Sequence, residues 1–232
     1  MKIIDFHSHI LPGIDDGSKN IEMTEQMLDV AAAQGVNVMV ATPHFYADSM
    51  SVERFLRYRK AAFDKVKEIA VEKEISIVSG AETAFFPGMS HADGIEQLCF
   101  ENTNLMMIEM PFRAWTSRDL REIELLMCKG IQPIVAHLER FYPFQTDKEM
   151  IESLLDMRVY VQINVGCLLH WKSRHKPLKL FKYGQAHLLG SDCHNISSRP
   201  ENLEEGRKVL EKKLGTQILR EIDRLGEKLL NI

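Results

Sequence analysis

The chain has 232 residues, 45% of them hydrophobic and 27% charged, enough for one well-buried core of ordinary globular kind, with one or two domains open on length alone. A formal net charge of −4 lacks the basic footprint of a nucleic-acid binder, so nucleic acid is not an expected partner. The start MKIIDFHSH is broken by Asp5 and His7 where a signal peptide would stay apolar, no run approaches the roughly 18 apolar residues of a membrane span, and Cys99, Cys128, Cys167 and Cys193 form no CxxC pair, so the expectation is a cytoplasmic protein with reduced thiols and no membrane insertion.

In chain order, β-rich runs fall at Lys2–Phe6, Val36–Ala41, Ile75–Ser79, Leu105–Met110, Gln132–Ala136, Val159–Asn164 and His187–Gly190. Helical patterns lie between them at Ile21–Gln34, Val52–Glu74, Ser117–Lys129, Asp147–Met157 and Leu178–Tyr183. A last amphipathic stretch, Glu201–Leu230, reads as two helices broken near Gly215, and Gly35, Gly130 and Gly184 stand where a glycine closes a helix. Strands alternating with helices predict a parallel sheet with right-handed crossovers, and the runs are apolar on both faces, as buried parallel strands are. No linker or composition shift divides residues 1–232, so a single domain is expected, a barrel or near-barrel of seven units.

The reactive side chains gather at the ends of these strands. Strand one runs into His7 and His9, strand two into His44, strand three into Glu82 and strand four into Glu109. Strand five runs into His137, strand six into Asn164, and strand seven into Asp192 and His194, while Asp15 and Asp16 on the first loop can reach the same place. In parallel α/β barrels the C-terminal strand ends form one rim, where active sites sit. A lone histidine at a strand end is more often a hydrogen-bonded structural residue than a ligand. Many carboxylates and imidazoles converging on one rim reverse that reading, because buried unpaired carboxylates are costly without cations. His7-Ser8-His9 places two imidazoles at i and i+2 on one strand face, and Asp192-Cys193-His194 repeats the spacing. Nitrogen and oxygen ligation without thiolate suits manganese, iron or zinc.

Other candidates take blander readings. His91, His170 and His175 lie in expected loops and His187 begins a strand; Arg54, Arg57 and Arg59 read as a solvated helix face, Met107 and Met110 as core filler. Cys193 and Arg199 make a C-x5-R pattern, the phosphate loop of cysteine-dependent phosphatases. Here that loop, CHNISSRP, has no glycine and puts Pro200 where a helix amide is wanted, so Cys193 reads as a spacer between two ligands.

Taken together, HSHILPGIDDGS, ATPHF, SGAE, IEMP, AHLERF, QIN and GSDCHN resemble the polymerase-and-histidinol-phosphatase (PHP) superfamily, and within it look most like the bacterial capsule-biosynthesis tyrosine phosphatases. The resemblance runs from His7 to Arg199. It implies a distorted seven-stranded (β/α)7 barrel of PHP type with two or three divalent ions, typically manganese. Carried onto this chain, it implies one ion at His7, His9, Glu82 and Asp192, a second sharing Glu82 with Glu109 and His137, and a third at Asp16, His44 and His194. Arg140 and Arg199 match the positions that hold substrate phosphate, and Asp16 or a histidine of the ligand sphere would assist the leaving group. The segments Phe45–Ser51 and Trp171–Lys176 match no motif. The activity so implied is protein-tyrosine phosphatase, acting on a phosphotyrosine protein such as the tail of a bacterial tyrosine kinase that regulates capsular or extracellular polysaccharide. The alternatives are a histidinol-phosphate or other small-molecule phosphatase, and a non-catalytic metal-binding regulatory module.

Overall fold

The computed structural model describes residues 1–146 and 148–232. Along them run β1 (Ile4–Ser8), α1 (Ile21–Ala33), β2 (Val38–Ala41), β3 (His44–Phe45), α2 (Val52–Glu72), β4 (Ser76–Ser79), β5 (Glu82–Ala84), β6 (Leu105–Glu109), α3 (Ser117–Cys128) and β7 (Gln132–Val135). There follow α4 (Lys148–Asp156), β8 (Tyr160–Asn164), α5 (Gly166–Leu169), α6 (His175–Lys182), β9 (Leu188–Gly190), α7 (Leu203–Leu214) and α8 (Thr216–Leu230). The helices start where side chains can satisfy free amides: Asn20 accepts from Met23 N–H, Ser51 from Arg54 N–H, and Thr116 forms a capping box with Asp119. Gly215, at φ 90°, breaks the C-terminal stretch into α7 and α8 at the expected place.

Every strand pairing among the described residues is parallel. The hydrogen bonds do not draw the expected seven-stranded barrel, however. They give a three-stranded sheet, β1-β2-β4, and a six-stranded sheet, β3-β5-β6-β7-β8-β9. The cause lies in two short interruptions. The path of β2 is broken at Thr42-Pro43, where proline has no N–H to give a ladder, and resumes as β3; that of β4 is broken at Gly80-Ala81 and resumes as β5. Gly80 N–H donates to Ala41 C=O at 2.9 Å and Glu82 N–H to Pro43 C=O at 3.1 Å, so the two paths stay side by side through the break. At the far edge Asp192 N–H donates to His7 C=O at 2.7 Å and His9 N–H to Cys193 C=O at 2.9 Å, bringing the segment after β9 against the end of β1. The result is a curled parallel half-barrel in an α/β fold.

Alternation along the strands divides the core. Ile4, Phe6, Val38, Val40, Leu105, Met107, Ile134 and Leu188 pack together with Phe100 and Leu230 inside the curl. Their neighbours Met39, Met106, Ile108, Val135, Val161 and Leu189 pack outward against the helices. Met107 and the outward-packed Met110 are both buried, as core filler should be.

Some expectations move. Strand one extends to Ser8, which puts His7 inside it; α6 begins at His175, earlier than Leu178; α5 had no sequence signal. The helix expected from Asp147 is seen from Lys148, and Asp147 lies outside the described residues. Arg59 departs from the solvated face assigned to it, because its guanidinium donates to Gly80 C=O at 2.8 Å and Gln97 C=O at 3.3 Å and so ties α2 to the break before β5.

Gly190 sits where β9 meets β1. A Cβ there would lie 2.5 Å from His7 Cβ and 2.7 Å from Gln162 Nε2, both buried side chains. Gly190→Ala should therefore cost about 1–3 kcal/mol of stability, read as a lower midpoint in denaturant unfolding; an unchanged midpoint would show that β1 and β9 are not packed this tightly.

Candidate metal centre

Strand ends deliver the site. Asp5 to Ser8 is a stretch where the β1–β2 register shifts, and His7 projects from it into the curl. His44 opens β3, Glu82 opens β5 in register with it, and Glu109 closes β6. His137 and Asp192 follow β7 and β9 in left-handed backbone, at φ 30° and 56°. Such conformations cost roughly 1–3 kcal/mol each in a non-glycine residue and cluster at functional sites.

Glu82, 1% exposed, is the hub. Its Oε2 lies 3.0 Å from His7 Nε2, 3.3 Å from His9 Nε2 and 3.1 Å from His44 Nδ1, and its Oε1 lies 2.8 Å from His137 Nε2. Glu109 Oε1 stands 3.4 Å from His137 Nε2. Asp192 Oδ1 faces His9 Nε2 at 3.4 Å and His7 Nε2 at 3.6 Å. Asp16, on the exposed first loop, reaches His194 Nε2 at 3.3 Å and His44 Nε2 at 3.6 Å. All nine expected ligand positions thus fall in one cluster, within which the groups His7–His9–Glu82, His44–Glu82–Glu109 and His9–Asp16–His44–His194 each converge closely enough to hold an ion.

The donor set fits divalent cations on grounds of its own chemistry. His7 Nδ1 faces Gln162 Oε1 at 3.2 Å and His9 Nδ1 faces Asp15 Oδ2 at 2.8 Å. Each acceptor keeps the ring proton on Nδ1 and turns a lone pair on Nε2 inward. Those two Nε2 atoms confront each other at 3.1 Å, which only a proton or a cation between them can relieve. Ligand atoms about 2.0–2.2 Å from a common ion stand roughly 3 Å apart, the spacing found here. His194 Nε2 and His44 Nδ1 are buried and make no well-directed hydrogen bond, although Asp16 and Glu82 oxygens stand 3.3 and 3.1 Å away, as nitrogens and oxygens that share an ion would.

Charge follows the geometry. Burial opposes a charge on His9, yet Asp15, Asp192 and Glu82 hold its pKa well above the usual value. Burial likewise opposes, and Glu109 and Glu82 outweigh it at, His137, raised to about 9. Burial works against ionised Glu82 and Asp192 also, but the surrounding cations keep both well below the carboxylate range. His194 goes the other way, to about 4, through burial and the nearby His9 and Arg199.

Arg140 and Arg199 meet on Asp192. Arg140 Nη2 donates to Oδ2 and Arg199 Nη2 to Oδ1, each at 2.6 Å, and each guanidinium keeps more than a third of its side chain in water. They border a cleft of about 480 Å³ that passes Leu169, His170 and Ser173, so His170 stands beside the site and not in it. Asn164, expected at the rim among possible ligands, instead donates from Nδ2 to Asp192 Oδ2 at 2.6 Å and accepts from Gln162 at 2.8 Å. Gln162 was not singled out in the sequence, and its signal is its place two residues before Asn164 on the same strand face. Asp15, expected only to reach the rim, accepts from His44 N–H at 3.0 Å as well as orienting His9. Cys193 is fully buried beside Asp5 and Glu201, and burial with those carboxyls pushes its thiol well above the usual value, which disfavours the thiolate a nucleophile needs.

A family model described as capsular polysaccharide synthesis, CpsB/CapC, matches residues 3–229. The tyrosine-protein phosphatase CpsB of Streptococcus agalactiae is 27% identical over 225 residues, covering 93% of this chain and 92% of its own. The tyrosine-protein phosphatase YwqE of Bacillus subtilis is 27% identical over 222 residues, covering 93% and 87%. Among solved structures, one from work on YwqE of B. subtilis and CpsB of Streptococcus pneumoniae, described as metal-dependent tyrosine phosphatases, superposes with a TM-score of 0.86 at 24% identity, over 99% of this chain and 94% of that one.

Added manganese should stabilise chelator-treated protein, by about 2.7 kcal/mol once free ion stands at 100 times its dissociation constant. Elemental analysis should find more than one ion per chain, and fewer in His7→Ala and Glu82→Gln. An unfolding midpoint indifferent to divalent ions would contradict this reading of the cluster.

Proposed function

We propose the following function for this chain, which belongs to the CpsB/CapC family of capsular polysaccharide synthesis proteins: metal-dependent hydrolysis of the phosphate ester of phosphotyrosine in a protein, with the tail of a bacterial tyrosine kinase that regulates polysaccharide synthesis as substrate. One observation carries it. Two arginines meet, each at 2.6 Å, on the same buried carboxylate that borders the histidine–glutamate cluster, so groups suited to phosphate and groups suited to metal share Asp192. The names of the relatives supply the phosphotyrosine. The curled sheets are read here as one distorted (β/α)7 barrel of PHP type, since each split path continues across its break and the segment after β9 returns to β1.

In this reading His7, His9, Glu82 and Asp192 would hold one ion, Glu82, Glu109 and His137 a second, and Asp16, His44 and His194 a third. Manganese is the proposed metal, since nitrogen and oxygen donors without thiolate suit it. When bound, such ions supply Lewis acidity that draws charge from a phosphoryl oxygen and makes water a nucleophile near neutral pH. Arg140 and Arg199 present guanidinium forks to the remaining phosphate oxygens and neutralise the charge that grows there. Asp192 sets the spacing of those forks, and Asn164 holds Asp192 in turn. Asp15 and Gln162 fix the tautomers of His9 and His7. A phenolate leaving group, of pKa about 10, needs little proton donation, and Asp16 at the exposed rim is the group placed to assist.

Chelation should abolish hydrolysis of a phosphotyrosine peptide and manganese should restore it, with phosphoserine peptide and histidinol phosphate turned over far more slowly. Full activity with an empty site would overturn the metal dependence, and preference for histidinol phosphate would move the substrate to a small molecule. Arg199→Ala and Arg140→Ala should each lower kcat/KM at least about tenfold, roughly 1.4 kcal/mol, with metal content unchanged, whereas Cys193→Ser should keep most activity. A dead serine variant that still carries metal would reinstate the cysteine route.

A further inference from the structure

Three large aromatic side chains at the mouth of the site are left in water. Tyr46 follows β3, Phe112 follows β6 and Phe144 follows β7, and they are 42%, 47% and 40% exposed. Exposed apolar groups gathered at one place mark a binding surface more often than scattered ones do. The arrangement here is ordered. The Tyr46 ring stacks on His44 with centroids 5.2 Å apart. The Phe112 ring lies 6.3 Å from that of His137, with the planes 20° apart, and meets Phe144 edge to face at 5.6 Å. Beneath it, buried Phe141 at 4.9 Å holds Phe112 in place. His44 and His137 touch the two oxygens of Glu82 at 3.1 and 2.8 Å, so the rings stand on two flanks of the cluster's hub.

We propose that Tyr46 and the Phe112–Phe144 pair form a binding site for the aromatic ring of the substrate, and thereby select aryl over alkyl phosphate esters. The inference rests on the phosphatase reading and extends it to residues that contact neither metal nor phosphate. A phosphoryl group between Arg140, Arg199 and the cluster leaves its ester substituent pointing out of the mouth, where these rings meet it. A phenyl ring gains edge-to-face and stacked contacts there, while a seryl methylene is too short to reach them. It also gives a role to Tyr46 in the Phe45–Ser51 segment, which carries no motif.

The test uses binding and turnover together on manganese-loaded full-length protein. Calorimetry with benzylphosphonate and propylphosphonate gives an aryl-to-alkyl affinity ratio that needs no chemistry. Phosphotyrosine and phosphoserine peptides of one sequence give the matching ratio of kcat/KM. Phe112→Ala and Tyr46→Ala should each lower both ratios about three- to tenfold, with metal content unchanged. Phe112→Leu keeps apolar packing on Phe141 and should still lose the ratio; Phe112→Tyr should keep it. Ratios in the alanine variants equal to those of the natural protein, in a chain that hydrolyses the phosphotyrosine peptide, would overturn the ring site alone. A natural protein that binds neither phosphonate and hydrolyses no ester would overturn the phosphatase reading and the ring site with it.

Discussion

The Glu82 carboxylate, almost wholly out of water, is met by four imidazoles within 3.3 Å. An isolated carboxylate could not be buried there, since it would take up a proton before paying the full desolvation cost. It stays ionised because the surrounding imidazoles favour its charge, and they come from three separate parts of the chain: His7 with His9, then His44, then His137. The strands must therefore end at one level and in one order. Pro43 and Gly80 break two strand paths just before His44 and Glu82, which frees both side chains from the plain alternation of the sheet while leaving them paired in register.

Around this hub lies a layer whose work is orientation. Asp15 accepts from His9, His44 and Gly17, and Gln162 accepts from the His137 backbone while facing His7. Asp5, on the outer side of β1, accepts from Ser191 N–H at 2.8 Å and from its hydroxyl at 2.5 Å, bracing the backbone that leads into Asp192. The left-handed residues His137 and Asp192 sit within this layer, one held through its backbone by Gln162 and the other through its carboxylate by Asn164.

Much of this was legible in the sequence, for physical reasons. Apolar runs between helical patterns placed the strands to within a few residues, because buried parallel strands need apolar residues on both faces. The ligand-type residues stood directly after those runs, so position alone gathered His7, His9, His44, Glu82, Glu109, His137, Asp192 and His194. The breaks that make β3 and β5 were hidden, because two or three residues carry no period and Thr42-Pro43 reads equally well as a strand's end. Gln162 was hidden because its value lies in tertiary contacts with His7 and His137. The convergence of Arg140 and Arg199 on one carboxylate was hidden as well, since nothing local relates residues so far apart in the chain. The aromatic rim fell in loops, where exposure is set by the fold.

The account stands on one claim, that this cluster is built to hold divalent ions. Anomalous diffraction at the manganese edge, from crystals grown with manganese, tests it most directly. The account predicts strong peaks in contact with His7, His9, Glu82 and Asp192, and with Glu82, Glu109 and His137. Manganese bound elsewhere, with none against these side chains, would contradict it.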